Sequence, residues 1–268
     1  MIGLNFILFW AGGKLSYLRY LTFKSLRHFH PNSTITFYKI HEFNKHIHSW
    51  GKEMQDFEGE NIGGDYSKEL SQLGVEIINI RCVGSPNYCP ILQTDMGRWV
   101  ALRDEGGFYL DTDQIIMNTF ADLPLDKEFI YSRYEEPQCG DYLPVGVLGL
   151  EKGSSIADIV LDTISRRYNP MDYNSSGPYM MRDAIKRVDL SRSFNAPSHY
   201  FYPIHTSKDV DKLYYGDFVL GLHHKRSFAC HWYGGNTKSQ AFNDGYTEEF
   251  AKTSNDSLSV FLRGKKII

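Results

Sequence analysis

The chain has 268 residues, enough for one large domain or two small ones, and its 42% hydrophobic and 23% charged residues describe a globular chain able to bury a sizeable core. With 29 basic residues against 32 acidic ones the formal charge is −3, which excludes nucleic-acid binding by bulk electrostatics and leaves at most peripheral association with a membrane. Aromatic residues reach 15%, a richness that serves a core and a sugar- or base-stacking site equally well.

In chain order, residues 4–10 form a continuous apolar run closed by Ala11-Gly12-Gly13, which predicts a buried strand ending in a loop of close backbone approach. The run is too short to span a bilayer and carries no basic leader or cleavage site, so the expectation is a soluble, cytoplasmic protein. A helix is expected over 16–29, with Leu18, Leu21, Ser25 and Leu26 as its inner stripe and His30-Pro31-Asn32 as its stop. Arg19, Lys24, Arg27 and His28 read as its solvated face. Strands over 34–40 and 75–80 follow, separated by a polar, irregular stretch. A helix over 91–105 offers Leu92, Met96, Trp99, Val100 and Leu102 for one broad face, and Gly106-Gly107 ends it before a strand begins at 108–110.

The second half is less regular. Strands are expected at 129–131 and 145–150 and helices at 155–168 and 177–188, the latter opened by Gly177-Pro178. The tail from Glu248 reads as polar, turning basic at Arg263, Lys265 and Lys266. Alternating strands and helices without a linker or repeat predict one merged α/β domain over 1–268, with a mostly parallel sheet and a ligand beyond the carboxyl ends of its strands. Four scattered cysteines (Cys82, Cys89, Cys139, Cys230) lack a CxxC pair and are expected to be reduced.

The sharpest local signal is residues 106–113, Gly-Gly-Phe-Tyr-Leu-Asp-Thr-Asp, an apolar strand tip that ends in two carboxylates one residue apart. Asp111 and Asp113 fall on one side if the strand continues, and two hard oxygen ligands there suit octahedral Mg²⁺ or Mn²⁺. The plain alternative is a solvated acidic turn. Asp95 and Arg98 lie three apart on the preceding helix, which places them on one helical face, so an arginine able to hold phosphate and an aspartate able to hold sugar hydroxyls arrive beside that tip. Their plain alternative is a surface ion pair. Among His205, His223, His224 and His231 no HxH or HxxxH spacing supports a zinc site. Tyr233-Gly234-Gly235-Asn236 reads as a turn or as a loop that covers a diphosphate with backbone amides, and residues 131–136 read as lining an acceptor cleft, with Glu135 and Glu136 equally able to be exposed.

Residues 94–113, with Asp95, Arg98, Gly106-Gly107, Tyr109 and the Asp111-Thr112-Asp113 triplet in that order, resemble the sugar-binding region of DXD-motif glycosyltransferases of the family 32 type, relatives of the clostridial toxin glucosyltransferases. Phe9-Trp10-Ala11-Gly12, Ser176-Gly177-Pro178 and His231-Trp232 are similar to further elements of that family. The resemblance implies a GT-A fold with a nucleotide-sugar-binding half over about 1–120 and an acceptor-binding half over about 121–268. It implies a retaining hexosyltransferase that uses Mn²⁺ or Mg²⁺ and a nucleotide sugar, a UDP-sugar before a GDP-sugar, and acts on a glycan, glycolipid or glycoprotein. By the same resemblance Asp111, Asp113 and His231 hold the metal. Asp95, Arg98 and Tyr109 face the donor sugar and phosphates, Phe9 and Trp10 the base, and Trp232 the diphosphate side; Asp111, Asp113 and Arg98 carry catalysis. Residues 143–149 depart from the family, which often carries a polar residue near the anomeric carbon.

Two rival readings differ in class. A haloacid dehalogenase-type phosphatase also places DxD after an apolar strand, but it asks for that motif near the N-terminus, for Thr or Val where Ile115 stands and for a later acidic pair, and here over a hundred residues precede the motif and no Asp-Asp pair follows. A sugar-binding module without turnover would keep the aromatic pocket and lose metal dependence.

Overall fold

The computed structural model describes residues 1–44, 64–134, 142–205, 209–215 and 226–268. Strand β1 (Phe6–Ala11) is buried along its whole length, which is why its sequence is a continuous apolar run and not an alternation. Helix α1 (Tyr17–Phe29) starts at Ser16, whose side chain accepts from the Arg19 N–H, and stops at His30. Strands β2 (Ile35–Ile40) and β3 (Glu76–Ile80) lie parallel to β1 on one side. Helix α2 (Pro90–Glu105) carries Pro90 at its first position and leads into β4 (Gly107–Leu110), which pairs with β1 on the other side, again in parallel.

The turn between α2 and β4 needs both glycines. Gly106 and Gly107 have φ of +70° and +96°, and a Cβ on Gly107 would stand 2.3 Å from the Asn5 side chain. Short strands complete the sheet: β5 (Gln114–Ile116) leaves it to pair with β9 (Ala229–His231), while β6 (Phe129–Ser132), β7 (Val147–Leu150) and β8 (Ser193–Ala196) extend it. The order is β3-β2-β1-β4-β7-β6-β8, with β7 antiparallel to both its neighbours and the other four pairings parallel.

Alternate β1 residues face opposite layers. Phe6, Leu8 and Trp10 pack with Phe23 and Leu26 of α1, and Ile7, Phe9 and Ala11 pack with Leu92, Trp99 and Leu102 of α2 and with α3 (Ile156–Arg167) and α4 (Pro178–Ala184). Each such large apolar side chain taken from water contributes about 1.5–3 kcal/mol. A third cluster joins the outer side of α1 to the C-terminal region, where α5 (Thr237–Gly245), α6 (Glu248–Thr253) and α7 (Ser257–Gly264) lie. The tail read as polar is thus helical and bury-faced: Leu258, Phe261 and Leu262 sit in that cluster. The helix expected over 177–188 is α only to Ala184 and finishes as a 3₁₀ turn.

No helix among the described residues is long and apolar enough to cross a membrane. Cys82, Cys89 and Cys230 are free, and Cys139 lies outside the described residues.

Candidate active site

Because β2 and β3 lie to one side of β1 and β4 to the other, the strand order reverses between β1 and β4, and the crevice beyond their carboxyl ends is where an open α/β sheet takes its ligand. A cavity of about 550 Å³ opens there, within the range of small-molecule sites. Phe9 and Trp10 enter it from the end of β1, and Asp111 and Asp113 from the end of β4.

The two carboxylates are held differently. Asp111 donates its N–H to the Gly146 carbonyl, and its Oδ1 accepts from the Tyr109 hydroxyl at 2.5 Å with the Arg98 Nη2 at 3.6 Å. Burial raises the Tyr109 hydroxyl well above its ordinary pKa, so it remains a donor. Asp113 is 6% exposed, its Oδ1 lies 2.9 Å from the His231 Nε2, and its Oδ2 accepts the Gly234 N–H at 2.7 Å. Burial by itself would push the Asp113 carboxyl up; the His231 imidazole, Arg19 and the Gly234 N–H outweigh it and hold the carboxyl below its usual range. One ligating atom from each of Asp111, Asp113 and His231 falls within 4.8 Å of the others. His231 reaches this cluster because β9 pairs with β5 and sets it opposite Gln114, the residue after Asp113.

Asp95 and Arg98 form no surface pair. Both are buried, at 4% and 5% exposure; Arg98 Nη2 meets Asp95 Oδ1 at 2.5 Å, its Nη1 donates to the Val145 carbonyl at 2.7 Å, and its guanidinium lies 4.4 Å from the Tyr109 ring centre. Ser176 donates to the other Asp95 oxygen at 2.5 Å. The helix, the strand tip and the Ser176-Gly177-Pro178 element therefore meet at one wall of the cavity.

The remaining expected residues divide. Phe9 and Trp10 line the cavity but are 5% and 4% exposed, Phe9 stacked on Tyr38 with ring centres 4.7 Å apart. Trp232 does not line it; it is fully buried behind His231 in the cluster that joins α1 to the C-terminal helices. The glycine turn after it gives one amide, from Gly234, to Asp113 itself. Residues 143–149 carry no polar side chain into the site, and Val145 and Gly146 line it with their backbone close by. Of the expected acceptor stretch Tyr134 lines the cavity, Tyr131 stacks on Phe129 within β6, and Glu135, Glu136, His223 and His224 lie outside the described residues.

Arg19, expected on the solvated face of α1, is instead 3% exposed and lines the cavity. A signal existed: it lies three, four and seven residues before Thr22, Phe23 and Leu26, all buried, so the helical period puts it on the inner face. Tyr142 and Tyr202, which also line the cavity, lie in stretches with no periodic pattern and gave no such signal.

No protein-family model and no curated protein matches the chain. Solved structures do. The glycosyltransferase PaToxG superposes with a TM-score of 0.51 at 18% identity, over 69% of this chain and 69% of its own. The glycosyltransferase GlyE of Streptococcus pneumoniae TIGR4 gives 0.51 at 13% identity over 98% of this chain, which spans 63% of the GlyE chain. A glycosyltransferase involved in the glycosylation of the major capsid of PBCV-1 gives 0.50 at 13% identity, over 90% of this chain and 100% of its own. At such identities the likeness is one of fold, and the fold is the GT-A fold of glycosyltransferases, as the DXD resemblance implied.

Proposed function

We propose that the chain is a metal-dependent, retaining glycosyltransferase that moves a hexose from a nucleotide sugar, a UDP-sugar before a GDP-sugar, to a hydroxyl of a glycan, glycolipid or glycoprotein. The observation that carries this is the Asp111, Asp113 and His231 cluster on a cavity at the switch point of a GT-A fold. Two carboxylates and an imidazole fit Mn²⁺ or Mg²⁺ with coordination positions left for a diphosphate. Such an ion, when bound, supplies charge neutralisation to the leaving nucleoside diphosphate.

The chain's own residues do the rest. Asp111, Asp113 and His231 would hold the ion. Asp95, fixed by Arg98 and Ser176, accepts from the donor sugar, and Arg98 places positive charge beside Tyr109 and Asp111. Phe9 and Trp10 flank the base, and Trp232 backs His231. The first 120 residues or so serve the donor, the remainder the acceptor, with residues 231–236 returning to the donor side. In retention the acceptor oxygen enters on the face the diphosphate leaves, and the diphosphate takes its proton, so positioning and charge are what the site must provide.

Purified protein given UDP-hexoses should release UDP only with Mn²⁺ or Mg²⁺ present, and Asp113→Ala should lower release by about a hundredfold or more. Undiminished release without a divalent ion, or by the variant, contradicts the reading. The donor is resolved by the rise in melting temperature across UDP- and GDP-sugars, since a ligand of the native state alone raises it.

A further inference from the structure

Arg19 stands at the meeting point of three segments. Its guanidinium carbon lies 4.4 Å from the ring centre of Trp10 at the end of β1 and 5.2 Å from that of Trp232 just after β9. Its Nη1 donates at 2.9 Å to the hydroxyl of Thr112, the residue between the two metal carboxylates. A Cβ on Gly234 would come within 2.6 Å of its Nη2, so the turn whose N–H binds Asp113 rests directly on it. Nor is the contact isolated. Thr22, one turn along α1, donates to the Thr112 carbonyl at 2.7 Å, and Ser25 accepts from the Ile116 N–H at 3.0 Å. One face of α1 thus runs alongside residues 112–116, and Thr112 turns toward the helix while Asp111 and Asp113 gather with His231.

We propose that Arg19 is a positioning residue for the metal ligands: planar and clamped between two indoles, it ties the Asp111-Thr112-Asp113 turn to the Gly234 turn and so preforms the cradle. This rests on the metal-dependent reading above. A guanidinium suits the place, since it can stack on aromatic faces and donate in its plane at once, which an ammonium cannot. Removing a group that orients metal ligands typically weakens metal affinity by about 10- to 100-fold.

The test is Mn²⁺ binding in solution, by titration calorimetry or by loss of the free-ion paramagnetic signal, on folded wild type, Arg19→Met, Arg19→Lys, Thr112→Val and Asp113→Asn. Arg19→Met should bind about tenfold more weakly, Arg19→Lys should recover part of the loss, and Thr112→Val should weaken binding by several-fold. The Arg19→Met, Thr112→Val double variant should bind no more weakly than Arg19→Met alone, because both act through one tie. Mn²⁺ affinity in Arg19→Met and Thr112→Val within about twofold of wild type, with Asp113→Asn losing it, overturns the role of Arg19 and leaves the metal site standing. A wild type that binds no Mn²⁺ overturns both. If Arg19→Met does not fold, Thr112→Val, which keeps the guanidinium and the side-chain shape, decides alone.

Discussion

A methyl group added at residue 146 would stand 2.6 Å from the Asp111 Oδ2, closer than any real contact of that kind, and 3.2 Å from the Gln114 amide nitrogen. The Gly146 carbonyl also holds the Asp111 N–H, so the backbone cannot retreat without carrying the carboxylate with it. Gly146→Ala should therefore leave the fold intact and cut transfer by about a hundredfold, since a displacement near 1 Å at a reacting centre costs on that order. Turnover at saturating Mn²⁺ together with the melting temperature checks it; an active variant would show that Asp111 is free to move. The sequence hinted at none of this, because a glycine in an apolar stretch does not say what faces it.

Helix α2 shows what the glycine between Asp95 and Arg98 does. A Cβ on Gly97 would meet the Phe9 ring at 2.6 Å, and Phe9 is itself held against Tyr38, so helix and strand approach as closely as they do only with no side chain there. That approach brings Asp95 and Arg98 to the cavity. Gly97→Ala gains intrinsic helix propensity of about 1 kcal/mol and loses more to overpacking, for a net destabilisation of about 1–2 kcal/mol, read from the denaturant midpoint. An unchanged or raised midpoint would mean the two elements can separate. Legibility at this scale was best for the long elements, although the four-residue β4, β6 and β7 were also expected from their apolar runs. β1, α1, β2, β3 and α2 are long enough to display a period or a continuous apolar run, and their expected bounds lie within a residue or two of those observed. β5, β8 and β9 have three or four residues, too few to show alternation, and they exist because a distant partner supplies their hydrogen bonds. The C-terminal helices were hidden by their charged surface residues, although Leu258, Phe261 and Leu262 keep a helical spacing.

For the molecule as a whole, one buried imidazole links stability to pH. His30 caps α1, its ring packs against Phe6 and Phe120, and its Nε2 accepts the Phe120 N–H. Burial, with a smaller push from Arg27, lowers its pKa from 6.5 to about 4. Between those values the unfolded chain binds a proton that the folded chain refuses, so this contribution is complete above the unfolded value and is lost as pH falls toward the folded one. The loss amounts to at most about 3 kcal/mol by the pKa difference. Urea unfolding at pH 7 and pH 4.5 should show it, and His30→Asn should flatten the slope; equal slopes in both proteins would assign the loss to other groups.

By itself the sequence determined the parallel core of the sheet and the segment that carries Asp95, Arg98, Asp111 and Asp113, because hydrophobic period, glycine turns and a contiguous motif are properties of neighbours along the chain. The resemblance had already grouped His231 with Asp113, but only the tertiary structure decided which strand pairing carries it there across 118 residues, that Arg19 is an inner residue tied to Thr112, and that Trp232 stands behind the site and not in it. Those facts depend on which strands pair and which helix covers them. Such choices are settled by the burial of whole faces against one another, and no local stretch of residues encodes them.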